Sequence, residues 1–304
     1  MLRLISDNTT IKFIRLKTFS FSLSAIFSIL AILSVLLIGL NFGIDFKGGI
    51  LLEVRTDKKI SISDIRREVS NLDIGEVSIQ DFGVKSDYLI RVERQSGSDD
   101  AQQIAVEALK GVLSKAFNND IEYRRLEYVG PTVSKDLISD GVMAIFFAII
   151  AMLAYIWFRF ELPFAIGAIT ALLHDIILTL GVFSILGLEF NLSTVAAILL
   201  IIGYSMNDTV VVYDRIRENL RKFKKMELKE LLDKSINETL SRTINTTITT
   251  MLALGALYLI GGQIISDFAF AMLWGIIVGT YSSIFIASTI LVYLNIRRNK
   301  ESES

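Results

Sequence analysis

The stretch NLSTVAAILLIIGYSMNDTVVVY, residues Asn191–Tyr213, decides the fold of this chain. It is long enough to cross a bilayer as a helix, which takes about 20 mainly apolar residues. It contains one carboxylate, Asp208, and an ionisable group inside such a span costs roughly 2.5–3.5 kcal/mol on insertion scales. Carboxylates in this position usually line an internal cavity, pair with a partner, or carry ions and protons. The sequence therefore predicts a membrane protein whose function depends on Asp208.

Five further apolar segments have a similar length, which predicts a polytopic α-helical membrane protein with six transmembrane helices. The chain is 52% hydrophobic, above the usage of ordinary globular domains. The first segment follows basic residues but lacks a small-x-small cleavage pair at its end, which favours an uncleaved anchor over a signal peptide. The predicted spans lie near 19–40, 137–158, 163–187, 191–213, 243–261 and 268–294.

The distribution of basic residues predicts the orientation of these spans. Four segments carry Lys or Arg: the tail 1–18, the connection around Arg159, the segment 214–242 and the tail 295–304. The segment 214–242 has nine such residues. The short connections 188–190 and 262–267 carry none. Because basic short loops stay inside, both termini are predicted to be cytoplasmic and 41–136 to lie outside.

The outer segment 41–136 is large enough for one small domain. Its patterns predict, in order, a strand at 49–55, a helix at 61–72, strands at 77–82 and 88–93, a helix at 99–117 and a strand at 121–129. The order βαββαβ is that of the ferredoxin-like α+β fold, which many functions share. The segment contains no Gly-rich phosphate loop and no catalytic triad.

The inner segment 214–242 is amphipathic, with an apolar stripe that includes Leu231, Leu232 and Ile236. This pattern favours an interfacial helix that lies on the membrane surface. A docking surface for a cytoplasmic partner is the alternative.

Polar residues in the fourth and fifth spans are the main candidates for a functional site. Asp208 is flanked by Asn207 and Thr209, while Arg242 opens the fifth span and is followed by a Thr-rich stripe that includes Thr246. One hypothesis is that Asp208 takes up and releases a proton under the influence of Arg242. The other is a static ion pair that holds two helices together.

His174 and Asp175 form a second polar pair, near the middle of the third span. The chain has no Cys and no His besides His174, so disulfides and the usual zinc sites are excluded, and no metal or cofactor is predicted. A hydrolase function for the pair is therefore unsupported, and the chain is not expected to be an enzyme. A proton relay and helix-packing hydrogen bonds both remain open. The net charge of −1 gives no reason to expect a nucleic-acid partner.

A small residue recurs at every fourth position of the sixth span. Small residues let two helix backbones approach closely, so this face is predicted to pack against another helix, in this chain or in a partner. The helix-packing seam comprises Ala271, Gly275, Gly279, Ser283 and Ala287.

Several long strings resemble the SecD/SecF family of protein-export membrane proteins, within the resistance-nodulation-division superfamily, and look most like its SecF branch. They are FGIDFKGGI at 42–50, VGPTVSKDL at 129–137, the run from Leu172 to Asn219, and NETLSRTINTT at 237–247. The family's motif residues correspond to Asp45, Phe46, Gly48, Gly49, Gly130 and Pro131. The resemblance implies a ferredoxin-like outer domain, a proton-pathway aspartate at Asp208 and the basic residue beside it at Arg242.

The resemblance also implies a function. Such a chain would be a bacterial inner-membrane subunit of the Sec translocase accessory complex, with a periplasmic outer domain, and would use the proton-motive force to promote polypeptide export. The implied partners are SecD, the SecYEG translocon, YajC-like accessory proteins, the translocating polypeptide and protons. Two alternatives are half of a proton-coupled small-molecule or lipid exporter of the same superfamily, and a membrane scaffold without coupling.

Overall fold

The computed structural model describes residues 9–56, 61–72, 74–75, 77–81, 86–93, 95, 99–117, 121–261, 263–294 and 296. The chain divides into two compact units. The membrane unit contains residues 1–41, 143–188 and 193–304, and the outer unit contains residues 42–142 and 189–192.

Helices make up most of the chain, and short strands cluster in its first half. The helices are α1 (Lys17–Leu37), α2 (Ile44–Lys47), α3 (Ile62–Val69), α4 (Asp99–Ala116), α5 (Pro131–Arg159), α6 (Leu162–Leu186), α7 (Leu192–Lys222), α8 (Leu228–Ile260), α9 (Gln263–Ser282) and α10 (Ser288–Tyr293). The strands are β1 (Asn41–Phe42), β2 (Gly49–Thr56), β3 (Val77–Asp81), β4 (Asp87–Val92), β5 (Ile121–Val129) and β6 (Glu189–Phe190). A π-helical segment, Ser283–Ala287, joins α9 to α10.

Six helices of the described chain are long and apolar enough to cross a membrane, which confirms the predicted number of spans. The third of them shows how local sequence sets the ends. Pro163 lies in the first turn of α6, where its missing N–H costs no hydrogen bond. Gly187 follows the last turn with φ of +63°, and the next amide, that of Leu188, donates to the Phe183 carbonyl at 3.1 Å. This left-handed cap satisfies carbonyls that the helix end leaves free.

The prediction of an interfacial helix within 214–242 is wrong. α7 continues past Tyr213 to Lys222, and α8 already begins at Leu228, so the segment forms the extended ends of two spans. The apolar face is covered by protein, since Leu231 and Leu232 are fully buried. Polar contacts join the two ends, with Asn219 Nδ2 donating to Ser235 Oγ at 2.9 Å. The predicted docking role of this segment stays a prediction.

The outer unit contains a four-stranded antiparallel sheet in the order β3-β4-β2-β5. Together with α3 and α4, the strands follow the predicted order βαββαβ. Alternate residues of the central strands β2 and β4 face one side of the sheet and form the core with residues of both helices. The largest buried members of this core are Ile50, Leu52, Ile65, Tyr88, Ile90, Leu109 and Leu113.

One ion pair closes the end of the two central strands. Arg55 of β2 lies opposite Asp87 of β4, with Nε to Oδ1 at 2.5 Å and Nη2 to Oδ2 at 2.6 Å. The hydrogen bonds from Arg55 hold the pKa of the Asp87 carboxyl below its ordinary value, against the opposing effect of partial burial. The pair therefore stabilises the sheet in its charged form.

Candidate functional site

Asp208 lies on α7 with only 3% of its surface exposed. The hydroxyl of Thr280, on α9, hydrogen-bonds to its carboxylate, and the same hydroxyl lies 3.0 Å from Thr247 Oγ1 of α8. The other carboxylate oxygen, Oδ2, is buried and has no hydrogen-bond partner among the described residues. The carboxylate thus lies among three spans, with its hydrogen-bonding capacity only partly used.

Arg242 is exposed on α8 and close enough to act electrostatically on Asp208. No ion pair within 4.0 Å joins the two side chains in the part of the chain that the structure describes. Thr243, the next residue on α8, has a buried hydroxyl that lacks a partner there as well. The geometry of this state therefore differs from the static ion pair considered from the sequence.

Two of the supporting residues predicted from the sequence do not reach the carboxylate. Asn207 is exposed. Thr246 is also exposed, and its hydroxyl donates back to carbonyls of its own helix, at 3.1 Å to Arg242 and 2.9 Å to Thr243. Thr247, the residue after Thr246, takes the buried position.

Asp175 on α6 is completely buried and accepts hydrogen bonds from two other spans. Ser205 Oγ of α7 donates at 2.6 Å and Ser282 Oγ of α9 at 2.8 Å, both to Oδ2. His174 Nδ1 lies 3.1 Å from the other oxygen, Oδ1. His174 Nε2 is buried without a partner within the described ranges. Asp175 therefore connects α6, α7 and α9 through a nearly complete set of hydrogen bonds.

Two sets of polar contacts lie in the interior of the membrane unit, one around Asp175 and one around Asp208, and we refer to them together as the polar band. Ser205, which donates to Asp175, precedes Asp208 by one turn on the same face of α7, so both sets border that face. The sequence pointed to both carboxylates but not to the hydroxyls around them. The polar band comprises His174, Asp175, Ser205, Asp208, Thr247, Thr280 and Ser282.

The predicted seam on the sixth span lies against α7 of the same chain. All five of its residues are buried. A Cβ added at Gly279 would lie 2.9 Å from Ser205 Cβ, and one added at Gly275 would overlap the side chain of Ile201. Ser283 lies 2.8 Å from the hydroxyl of Thr209. The small residues therefore let α9 approach α7 closely enough for the polar band to form.

The seam continues into the π-helical segment. Ser288 Oγ, just after that segment, donates to the carbonyl of Ser283, five residues back, at 2.9 Å. Such segments are often found at functional sites, and nothing in the local sequence predicted this one.

The motif residues of the two outer strings meet in the outer unit. Gly48 and Gly49 have φ of +73° and +121°, which are conformations that favour glycine. Gly49 pairs with Val129 at the end of β5, so the 42–50 string lies beside Gly130 and Pro131, which start α5.

The rest of the 42–50 string contacts the short segment 189–192. Phe46 packs against Phe190 with ring centroids 5.7 Å apart. Asp45 Oδ2 accepts a hydrogen bond from the Leu192 amide at 2.9 Å, so Asp45 caps the first turn of α7. An ion pair joins Arg91 to Glu189.

Comparisons with known proteins agree on one family. A model described as "Protein export membrane protein SecD/SecF, C-terminal" matches residues 109–297, and one described as "SecD/SecF GG Motif" matches residues 34–60. The protein translocase subunit SecF of Rickettsia rickettsii (strain Sheila Smith) is 47% identical over 99% of this chain and 97% of its own length. The SecF subunit of Magnetococcus marinus is 48% identical over 84% of this chain and 83% of its own length.

Solved structures give the same result. The crystal structure of SecDF, a translocon-associated membrane protein from Thermus thermophilus, superposes with a TM-score of 0.84 and 33% identity over 97% of this chain. SecDF in its super-membrane-facing form gives a TM-score of 0.72 and 32% identity. The chain spans about 40% of the length of these SecDF chains. The first family model covers more than half of the chain, and the curated relatives match it over most of their length, so the chain belongs to the SecD/SecF family of protein export membrane proteins.

Proposed function

We propose that this chain is a protein translocase subunit that uses the proton-motive force to promote export of polypeptides across the bacterial inner membrane. In this proposal Asp208 carries the proton, and Arg242 tunes how readily Asp208 binds and releases it. The chain is a transport subunit and not an enzyme. The curated relatives are named as translocase subunits, which favours this function over export of small molecules or lipids.

The observation that carries the proposal is the incomplete environment of Asp208. The carboxylate is 3% exposed, is hydrogen-bonded to one hydroxyl, and has a second oxygen without a partner in the described chain. A buried charge without partners is costly, whereas the protonated acid is much easier to accommodate. A group in this position can gain and lose a proton as its surroundings change.

The energy for export comes from moving that proton down its gradient. One elementary charge that crosses the membrane potential is worth about 2.3 kcal/mol per 100 mV. Asp208 must then exchange its proton with one side of the membrane in one conformation and with the other side in a second. Because Arg242 is not paired with Asp208 in this conformation, a change in their separation would alter how strongly the charged carboxylate is stabilised.

The proposed working form includes a second membrane subunit of the SecD type. The solved SecDF chains, of which this chain spans about 40%, support such a pairing. By the same family reasoning the SecYEG translocon, YajC-like proteins and the emerging polypeptide are its other partners. Both termini face the cytoplasm and the outer unit faces the periplasm, in agreement with the distribution of basic residues.

The test is Asp208→Asn, which keeps the shape of the side chain and removes its titration. We expect the variant to co-purify with its SecD-type partner but to lose the uncoupler-sensitive part of reporter secretion. Arg242→Ala should also lower that part. The matched control is Asp140→Asn, which removes an exposed carboxylate on α5. Full uncoupler-sensitive secretion by Asp208→Asn would show that Asp208 is not the proton carrier, and loss of the partner in that variant would point to a structural role.

A further inference from the structure

A cavity of about 500 Å³ lies where α5 ends and α7 reaches its last turns. Arg159 contributes from the end of α5, and the other lining residues occupy successive turns on one face of α7. All six lining side chains are charged: Arg159, Asp214, Arg217, Glu218, Arg221 and Lys222. It lies within the membrane unit, at the end predicted to be cytoplasmic.

The cavity carries an excess of positive charge. Both of its carboxylates are already neutralised, Asp214 by Arg159 at 2.8 Å and Glu218 by Arg215, outside the cavity, at 2.5 Å. Arg217, Arg221 and Lys222 form no ion pair with any described carboxylate. Three cations are therefore left to bind an anion.

Two of the guanidinium groups are held in place by an aromatic ring. Arg159 and Arg217 lie over the ring of Phe160, at 5.0 Å and 5.2 Å from its centroid. Phe160 is buried and packs edge-on against Tyr213 at 5.8 Å. Arg217 Nη1 also donates to the Arg159 carbonyl at 3.0 Å. Fixed guanidinium groups match the oxygens of a phosphate better than mobile lysines do, because less side-chain freedom is lost on binding.

The surroundings of the cavity identify the source of that phosphate. Just before Arg159, α5 presents Trp157 and Phe158 to the outside, and Phe158 is 95% exposed. Leu162, at the start of α6, is exposed as well. Exposed aromatic side chains at the end of a span are typical of the level of the lipid headgroups. Basic pockets between spans at this level suit acidic lipid headgroups.

We propose that this cavity binds the phosphate of an anionic phospholipid, with the acyl chains lying along the exposed apolar surface of Trp157, Phe158 and Leu162. The cations Arg217, Arg221 and Lys222 give selectivity for anionic over zwitterionic lipid. Arg159 completes the site while it remains paired with Asp214. A free phosphate shares the headgroup chemistry but would not use the apolar surface.

The test uses the full chain, in complex with its partner subunit, in nanodiscs of phosphatidylethanolamine with one fifth phosphatidylglycerol. Lipid that stays bound after transfer to detergent is measured by native mass spectrometry. The variant Arg217→Gln/Arg221→Gln/Lys222→Gln is compared with Lys224→Gln/Lys225→Gln/Lys229→Gln. The control removes the same charge from exposed lysines beyond the cavity.

We expect the native complex to retain phosphatidylglycerol in preference to phosphatidylethanolamine. The cavity variant should lose affinity on the order of 100-fold, since each of its three basic residues contributes about a factor of five near an anionic surface. The control should stay within about twofold of the native protein. Because Arg221 and Lys222 are exposed, Arg221→Gln/Lys222→Gln tests the same site should the triple variant fail to fold.

Three results would overturn the proposal. Equal lipid retention by the native protein and the cavity variant would exclude a specific site. Displacement of lipid by inorganic phosphate as effectively as by short-chain phosphatidylglycerol would identify a soluble anion as the ligand. Loss of the partner subunit from the cavity variant, with lipid retention unchanged, would make the cavity part of a protein interface.

Discussion

Replacing Gly275 by Ala tests whether the close approach of α9 to α7 supports the fold. An added Cβ would lie 2.9 Å from Cγ2 of Ile201 and closer still to its Cγ1 and Cδ1, whereas carbon atoms normally approach to about 3.5–4.0 Å. Ile201 is 1% exposed, so its side chain has little room to move. Overpacking of this kind costs about 1–3 kcal/mol, and the higher helix propensity of Ala recovers about 0.5–1 kcal/mol. The difference is a net loss of about 0–2.5 kcal/mol in the free energy of unfolding, or about 1 kcal/mol at the middle of both ranges.

The assay is denaturation of the purified protein in detergent, followed by tryptophan fluorescence. Gly203→Ala and Gly255→Ala are the controls, because an added Cβ would meet nothing within 4 Å at either position. Neither control should destabilise the protein. Ile201→Val alone should cost about 0.5–1.5 kcal/mol, but combined with Gly275→Ala it should cost less than the sum. If Gly275→Ala behaves like the controls, or if the double variant is additive, the packing argument fails.

Three further predictions concern single carboxylates. Asp45→Ala removes the acceptor for the Leu192 amide and should destabilise the first turn of α7 by about 0.5–2 kcal/mol, seen as faster hydrogen exchange there, while Asp45→Asn should have a smaller effect. A soluble fragment of residues 41–136 should give a mixed α/β circular dichroism spectrum and lose stability on acidification. The Arg55–Asp87 ion pair contributes stability to this fragment because Arg55 lowers the pKa of Asp87. That contribution is complete above the ordinary carboxyl pKa of about 3.9 and is lost as the pH falls through the lowered pKa. An Asp87→Asn fragment with the same acid dependence would contradict this. Asp175→Asn should lower the melting temperature more than Asp208→Asn does, because Asp175 accepts hydrogen bonds from two other spans, and equal shifts would count against this difference.

Composition predicted the spans well but not the inward face of the fifth span. Thr residues at 243, 246, 247, 249 and 250 form a broad stripe that covers about 160° of the circumference of α8, since successive residues are about 100° apart. Thr246 and Thr247 were therefore equally plausible neighbours of Asp208. The contact between the hydroxyls of Thr247 and Thr280 identifies Thr247 as the neighbour, and this contact depends on how α9 packs.

The segment 214–242 was wrongly predicted for a different physical reason. An apolar stripe on a helix fits a membrane surface and a protein core equally well, because both are apolar. The chain has no Gly or Pro between Gly203 and Gly255. That absence favoured helices continuous with the spans, and it was the signal that could have corrected the prediction. The bond from Asn219 to Ser235 is not visible in either helix pattern alone.

The two buried carboxylates of the polar band are built differently, and this difference bears on their roles. Asp175 is surrounded by hydrogen-bonding groups from three residues on α6, α7 and α9. Asp208 is hydrogen-bonded to one hydroxyl, and its Oδ2 has no partner in the described chain. The same helices can thus satisfy a carboxylate when packing requires it. A carboxylate that only held helices together would gain stability from an environment like that of Asp175. The missing hydrogen-bond partner of Asp208 costs stability. Such a cost is expected at a carboxyl group that must bind and release a proton, because a fully hydrogen-bonded carboxylate would hold one protonation state.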